Sequence, residues 1–443
     1  MKLHVVICNL WSVDSMGVHD FRAIPPQLAP LSGAELPLVH SFDLANGIRV
    51  VAFDGATQPV NMVSLVREGG NADIVSPAIL PMMLATIGEG TGSRTGAEIA
   101  GSFDSNGSWL RTGAYGHHSV VTLLSLNSCV ENVLPVFVDM LENASFPERE
   151  LEAKKTQIAQ QIGVQMQKVS VLADAAMRKQ LCGVSHPLAL LNTPQQVMQL
   201  NRNDMVKLFS RVRQPRLSYL FLGGALTPKV MDAVCASAER LTPSGAEPVK
   251  RNVMPFAPSA PNVEKIIVKD ALQSAVCIGI PAISRNHPDY SALHLVVTAL
   301  GGYFGSRLMM NLREDKGYTY GVNASLLGVH EGAWVKIAFE CSHDYVESAI
   351  EQVRIELERL VTDPPAGEEL ERLRRFALIS HLEALDSPLE IVSYYRNMVL
   401  SDIPENYFSV KQRVILSISP NDISHIAATY LRPENLRIAA AGQ

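Results

Sequence analysis

Apolar and polar positions follow two periods along this chain. The runs "GIRVVAF" (47–53), "NMVSLVREGG" (61–70) and "SVVTLLSLN" (119–127) are short and rich in β-branched residues, and they read as strands. Longer stretches with apolar residues three and four apart read as helices: 77–89, 96–105, "CVENVLPVFVDMLEN" (129–143), and a long one from about Pro147 to Ala173. "LSYLFLGG" (217–224) returns as a strand. The second half repeats the order. "VEKIIVKD" and "QSAVCIGIPA" are strands, 288–300 is an apolar helix, and "YTYGVNASLLG" and "AWVKIAFEC" are strands. Helices over 343–361 and 367–386 follow, and a last strand, "NLRIAAAG", echoes "LSYLFLGG". This repetition of element order predicts an α+β fold of two homologous domains. Each would be an antiparallel-rich sheet with helices packed on one face, and the two would face each other as a clam-like chamber.

The segment Thr242–Val263 carries five prolines and no clear period, so it reads as the linker. The expected organisation is an N-terminal extension (1–35), a first domain (36–241), the linker (242–263) and a second domain (264–443). A length of 443 residues is too great for one ordinary core and agrees with this division.

Charge and cysteine use narrow the classes. A formal charge of −6 without a basic block leaves no footprint for nucleic acid or anionic lipid. The six cysteines, at 8, 129, 182, 235, 277 and 341, are scattered and form no C-x-x-C, which removes zinc-ribbon and thioredoxin readings. No apolar run reaches the roughly 20 residues of a membrane span. The opening "MKLHVVICNLW" reads as a poor signal peptide. A soluble protein is expected, with the compartment left open and the cytoplasm favoured over the periplasm.

The stretch "SPAILPMMLATIGEGTGSRT" (76–95) reads as a buried helix running into a polar loop. Ser76 would cap it, with Pro77 at the first helical position. Pro81 predicts a kink or a later start. Positions 81, 84 and 85 share one face. No histidine lies in the run, and its only carboxylate is Glu89. Elsewhere, His117 and His118 are adjacent in a strand and point to opposite faces. His186, His287, His294, His330, His343, His381 and His425 are isolated and read as structural or surface residues. No nucleophile elbow, P-loop or dinucleotide fingerprint occurs.

In detail, residues 78–91 resemble the metal-binding helix of the pitrilysin/insulinase metallopeptidases, the inverzincins, whose signature is H-x-x-E-H. The resemblance puts Pro81 and Ala85 where the two histidines stand and Leu84 where the general-base Glu stands. "FPERELEAKKTQIAQQI" resembles the helix that carries the third ligand, which falls on Gln161. Pro, Leu and Ala offer zinc no donor, and Gln is a weak neutral one. The resemblance therefore implies a chain without zinc or other cofactor of its own, unable to activate water alone.

"LGGYFGSRLMMNLREDKGYTYGVNA" (300–324) resembles the family segment in which an Arg and a Tyr contact the substrate backbone. By that resemblance these are Arg313 and Tyr320, with Arg307 structural and Tyr318 a stand-in if the register slips. Both side chains can donate to a peptide carbonyl that gains charge as water attacks. The plainer alternative pairs Arg313 with Glu314 or Asp315 and packs Tyr320 within a strand. Gly301 and Gly302, with Gly305, form a short glycine-rich loop. The family's non-catalytic subunits bear a glycine-rich loop used in substrate handling; the loop here is much shorter, and a tight turn also explains it. The run 107–113 falls where the family offers an edge strand to extended peptides, which needs only backbone groups.

The resemblance, from about residue 35 to the end, implies a catalytically inactive homologue. It is similar to the non-catalytic subunit of heterodimeric bacterial and mitochondrial-processing-peptidase-like members. A zinc-bearing partner would carry H-x-x-E-H, and this chain would offer Arg313 and Tyr320 in trans to peptide. The alternative is a peptide-binding or scaffold homodimer.

Overall fold

The structure, a computed structural model, describes residues 30–74, 78–248, 253–258, 262–329 and 332–443. The expectations for the first residues, for the Ser76–Pro77 cap and for His330 lie outside the described residues.

The first half runs β1 (His40–Asp43), β2 (Arg49–Asp54), β3 (Val60–Glu68), α1 (Ile79–Thr86), α2 (Gly96–Ser105), β4 (Trp109–Ala114) and β5 (His118–Leu126). It continues through α3 (Val130–Asn143), α4 (Glu148–Gln165), α5 (Val169–Cys182), α6 (Pro194–Gln199), α7 (Arg202–Val212), β6 (Ser218–Gly224) and α8 (Pro228–Ala238). The second half runs β7 (Val263–Ile267), β8 (Ser274–Ala282), α9 (Tyr290–Gly301), β9 (Thr319–Val329), β10 (Gly332–Cys341) and α10 (Val346–Thr362). After it come α11 (Gly367–Leu382), α12 (Pro388–Leu400), α13 (Tyr407–Ser417), α14 (Pro420–Tyr430) and β11 (Arg437–Gly442).

The strand orders show the duplication directly. The first sheet is β1-β2-β6-β3-β5-β4 and the second is β7-β11-β8-β10-β9. With β1 set aside, both follow one path, in which the first and last strands of each half pair in parallel and the other pairs are antiparallel. Closing the last strand against the first ties each half together over its full length.

Both faces of each sheet are covered. One face of the first sheet (Val50, Val63, Leu65, Val121, Leu123, Leu220, Leu222) packs into the main core with α1, α3, α7 and α8. Its opposite face (Val51, Met62, Val66, Val120, Phe221) receives Val392 and Leu389 of α12, a helix of the second half. The second sheet reciprocates: Ala275, Cys277, Ala439 and Ala441 pack against Ala173, Ala176, Met177 and Leu181 of α5. Each half thus lends one helix to the other's sheet. Between the first sheet's opposite face and helices α12 and α13 lies a cavity of about 1540 Å³, lined by Val51, Tyr219, Phe221, Tyr395 and Phe408 among others.

This exchange corrects one expectation. The long helix read from Pro147 to Ala173 is two, α4 and α5, broken at Met166–Lys168. No proline marks the break. The chain turns there because α5 must leave the first half's core to lie on the second sheet.

Candidate functional site

Helix α1 begins at Ile79, two residues later than the sequence pattern proposes. Pro81 then sits in the first turn, where amide groups have no intrahelical acceptor, so its missing N–H breaks no bond. Leu80, Met82, Met83, Leu84 and Thr86 are buried, whereas Pro81 and Ala85 are only half-buried. The two positions that the resemblance sets against the histidines therefore face the more open side. Leu84 turns inward onto a small cavity of about 30 Å³ shared with Leu65, Arg67, Met83, Ile87 and Phe209.

Below this cavity lies a buried ion cluster. Glu142 of α3 accepts from Arg67 Nη2 (3.2 Å), Arg213 Nε (3.0 Å), Thr242 N (2.9 Å) and Thr242 Oγ1 (2.7 Å). Arg67 and Glu142 are 6% and 8% exposed. Burial draws the Arg67 guanidinium below its ordinary pKa, with Glu142 opposing that shift.

The exit loop of α1 owes its sequence to an anchor on α3. Asp139 accepts from Thr91 Oγ1 (2.7 Å), Ser93 Oγ (2.9 Å), Asn143 Nδ2 (2.9 Å) and the Arg94 guanidinium. Burial alone would raise this carboxyl, but these four donors hold it down at about 2. Thr95 then caps α2 in a box with Glu98. "GTGSRT" is thus explained by loop anchoring without reference to metal.

Helix α4 packs beside α1, and Gln161 lies on its exposed side. Pro81 and Ala85 carry no donor atom in their side chains, so the residues at this place do not fit a zinc ion. Among the described residues, no group of three or more His, Cys, Asp or Glu side chains stands close enough to hold a metal.

The second-half residues form a different kind of site. Arg313 lies in a widened, π-type helix, Met309–Asp315, and Tyr320 lies on β9, an edge strand of the second sheet. Between Phe339 and Cys341 of β10 the register slips, so that Tyr320 and Gly321 together oppose Glu340. That bulge throws the Tyr320 ring outward, leaving it 90% exposed. The Arg313 guanidinium lies 5.1 Å from the Tyr320 ring centre and 4.8 Å from that of Phe304. Two aromatic faces thus bracket one cation, each worth about 0.5–1 kcal/mol at such exposure. The plainer contact is also present, since Arg313 Nε is 3.3 Å from Glu314 Oε1. That pair is half-exposed and weak, and it leaves the η-nitrogens of the fork free to point elsewhere. Tyr320, by contrast, does not pack within the sheet.

Phe304 was missed in the sequence. Its signal was an aromatic residue between glycines in "GGYFGS", in a loop with no core to fill. The glycines themselves serve packing. A side chain on Gly301 would meet Ala324 Cβ at 2.7 Å, and one on Gly302 would meet Thr298 Cα at 2.7 Å. Tyr318 is engaged elsewhere, stacked at 4.6 Å on Tyr345. Arg307 is 8% exposed and forks onto Glu369 at 2.7 and 2.9 Å.

The structure keeps the two groups of sequence-derived positions apart. Pro81, Leu84, Ala85 and Gln161 belong to the first half's helical layer, and Arg313 and Tyr320 to the rim of the second sheet. Strand β4, which matches the run 107–113, is the outer strand of the first sheet, with Trp109 52% exposed on it.

Most of the histidines that the structure describes are tied into the fold. His117, which falls just before β5 and not within it, stands 3.2 Å from Asp73. His186 binds Met254 O and Leu188 N, and His343 binds Ser274 and Ala271 O. Burial pushes the Cys277 thiol up to about 12 and that of Cys341 to about 11, so neither is a nucleophile.

Comparison with known proteins bears on the fold and its relatives. Residues 199–376 match the family model described as the peptidase M16 inactive domain. An uncharacterized zinc protease of Rickettsia bellii is 24% identical over 294 residues, covering 65% of this chain and 68% of that one. A protein of Helicobacter pylori named non-peptidase homolog YmxG is 24% identical over 272 residues, covering 60% of this chain and 61% of its own. Among solved structures, a peptidase M16 inactive domain from Pseudomonas fluorescens superposes with a TM-score of 0.81 at 23% identity, covering 91% of this chain and 98% of that one. A chain of Complex III2 from Candida albicans superposes with a TM-score of 0.73 at 15% identity, covering 91% and 96%. Together with the two repeated halves, these matches show that residues 199–376 are similar to the peptidase M16 inactive domain and that the chain has the fold of such structures.

Proposed function

We propose that this chain is the non-catalytic subunit of a heterodimeric peptidase, working beside a zinc-bearing family member with an intact H-x-x-E-H helix. The observation that carries this reading is the contrast between the two former site regions. The first has no donor atoms at positions 81 and 85, while the second holds Arg313 and Tyr320 outward on a π-type helix and a β-bulge. Irregular backbone that exposes polar side chains is retained where those side chains have work to do.

In this role Arg313 and Tyr320 donate hydrogen bonds to a carbonyl of a bound peptide, stabilising oxygen that gains negative charge at the partner's centre. Phe304 holds the guanidinium in place from the other side. The outer strand β4 offers free backbone groups to an extended peptide. Zinc belongs to the partner in this reading. The relative named as a non-peptidase homolog lends support by its description.

The test is peptide cleavage by a mixture of this chain with a zinc-bearing family member. Arg313→Ala is expected to lower the mixture's kcat/KM by about 10²-fold, the scale of one lost oxyanion donor, and Tyr320→Phe by a smaller factor. Unchanged activity in both variants would end the trans-contribution reading. The second reading is a scaffold or peptide-binding homodimer, which tight self-association indifferent to the zinc-bearing member would favour.

A further inference from the structure

The two repeated halves differ at one sheet edge. In the first sheet, β2 pairs in parallel with the last strand of its half, and β1 lies antiparallel along its other side. The counterpart of β2 in the second sheet is β7, which pairs in parallel with β11. It has no such cover: among the described residues no strand pairs with the outer side of β7. The described chain before it runs elsewhere. Ala257 N donates to Cys182 O (3.1 Å), and the Phe256 ring lies 5.9 Å from that of Trp334.

The ladder to β11 fixes which backbone groups of β7 face outward. Ile438 N donates to Asn262 O (2.7 Å), and Val268 N donates to Gly442 O (2.7 Å). In a parallel pair the bonded groups come from every second residue, so Glu264 and Ile266 also turn to β11. Val263, Lys265 and Ile267 then point their N–H and C=O groups away from the sheet. The side chains of these three share one face, where Val263 is 48% and Ile267 76% exposed. Ile266, on the other face, packs against the cluster around α5. Outward backbone groups beside exposed branched side chains make a template for another strand.

We propose that β7 pairs antiparallel with β7 of a second copy of this chain, about a two-fold axis through Lys265. The register closes on itself. With Lys265 opposite the partner's Lys265, Val263 stands opposite the partner's Ile267 and Ile267 opposite the partner's Val263. Every outward N–H and C=O thereby finds an outward partner, and the branched side chains meet across the seam. Such an isologous contact is the commonest closed form of assembly. The cover of β2 by β1 shows that this position in the fold accepts an antiparallel strand. A lysine on an edge strand ordinarily discourages pairing. Here the Lys265 ammonium is held by Glu347 Oε1 at 2.5 Å, so two ion pairs meet at the axis instead of two bare cations. The surface uses neither Arg313, Tyr320 nor β4, so it adds to either reading of the function and depends on neither.

The test is the solution mass of the whole chain by sedimentation. A seam this short belongs among weak, transient interfaces. The mass is therefore expected to rise towards twice the 48.3 kDa of the chain between about 1 and 200 µM. Lys265→Pro removes an outward N–H and no bond to β11, and it should weaken the dimer about tenfold or more. Ile267→Lys, which adds a like charge to the seam, should do the same. Its position is 76% exposed, so it carries the comparison even if the proline variant loosens the fold. Lys265→Cys sets two thiols on the axis, where the Cα atoms of a bonded antiparallel pair stand about 5.5 Å apart, within disulfide reach. Mild oxidation should cross-link it faster than Glu264→Cys, whose side chain leaves the other face. A wild type still monomeric at about 200 µM, a dimer indifferent to both Lys265→Pro and Ile267→Lys, or equal cross-linking of the two cysteine variants would overturn the proposal.

Discussion

Glu142→Ala is expected to lower the stability of the fold by about 3–5 kcal/mol, the usual result of removing one partner of a buried pair. Glu142 receives four hydrogen bonds, two of them from Arg67 and Arg213. Its loss strands the Arg67 guanidinium, 6% exposed, against the apolar floor under Leu84. It also frees Thr242, through which the segment after α8 is tied to α3. The measurement is the urea midpoint at neutral pH. The double variant Arg67→Met with Glu142→Leu should recover most of the loss, since the charge that needs a partner is gone. A single-variant loss below about 1 kcal/mol would mean that water reaches Arg67 and solvates it.

The second large effect is acid sensitivity of the second half. His381 is 5% exposed, binds Phe408 O at 3.1 Å, and lies 4.0 Å from the Phe408 ring. Desolvation, with Lys411 adding to it, lowers its pKa from 6.5 to about 4. His294 is lowered to about 3 by desolvation and by Lys411, Arg285 and His381. Lys411 is itself lowered to about 8, and Tyr290, Tyr394 and Tyr407 in the same helical layer are raised by burial. The folded state therefore holds both rings neutral. As pH falls below 6.5 the unfolded chain takes up protons first, so stability is complete above pH 6.5 and declines towards pH 3–4. At pH 5 each ring would account for about 2 kcal/mol without screening. His294 is only half-buried, so a combined loss of about 2–3 kcal/mol between pH 7 and pH 5 is expected. Urea midpoints at the two pH values test this. His381→Gln should flatten the slope, and a wild type equally stable at both would contradict it.

The sequence carried the repeated order of elements and therefore the two halves, because strand and helix periods are local properties. Two things were not legible. The exchange of α5 and α12 between halves depends on which apolar faces meet in space, and nothing in a 3.6-residue period says which sheet a helix will choose. The bulge at Tyr320 and the widened helix around Arg313 likewise follow from the register of β9 on β10, set by contacts twenty residues apart. At positions 81 and 85 the residue types alone say that no donor is present. The surroundings were not legible: the more open face at Pro81 and Ala85, the inward turn of Leu84, and Phe304 over Arg313 emerged only from packing.

The proposed division of labour sets this chain beside a partner that carries the zinc helix. It is tested most directly by peptide cleavage with this chain alone, the zinc-bearing family member alone, and an equimolar mixture, with bound zinc measured on each. The expected result is no cleavage and no stoichiometric zinc for this chain alone, and cleavage by the mixture well above that of the partner alone. Cleavage by the pure chain with one bound zinc per molecule, or a mixture no more active than the partner by itself, would contradict it.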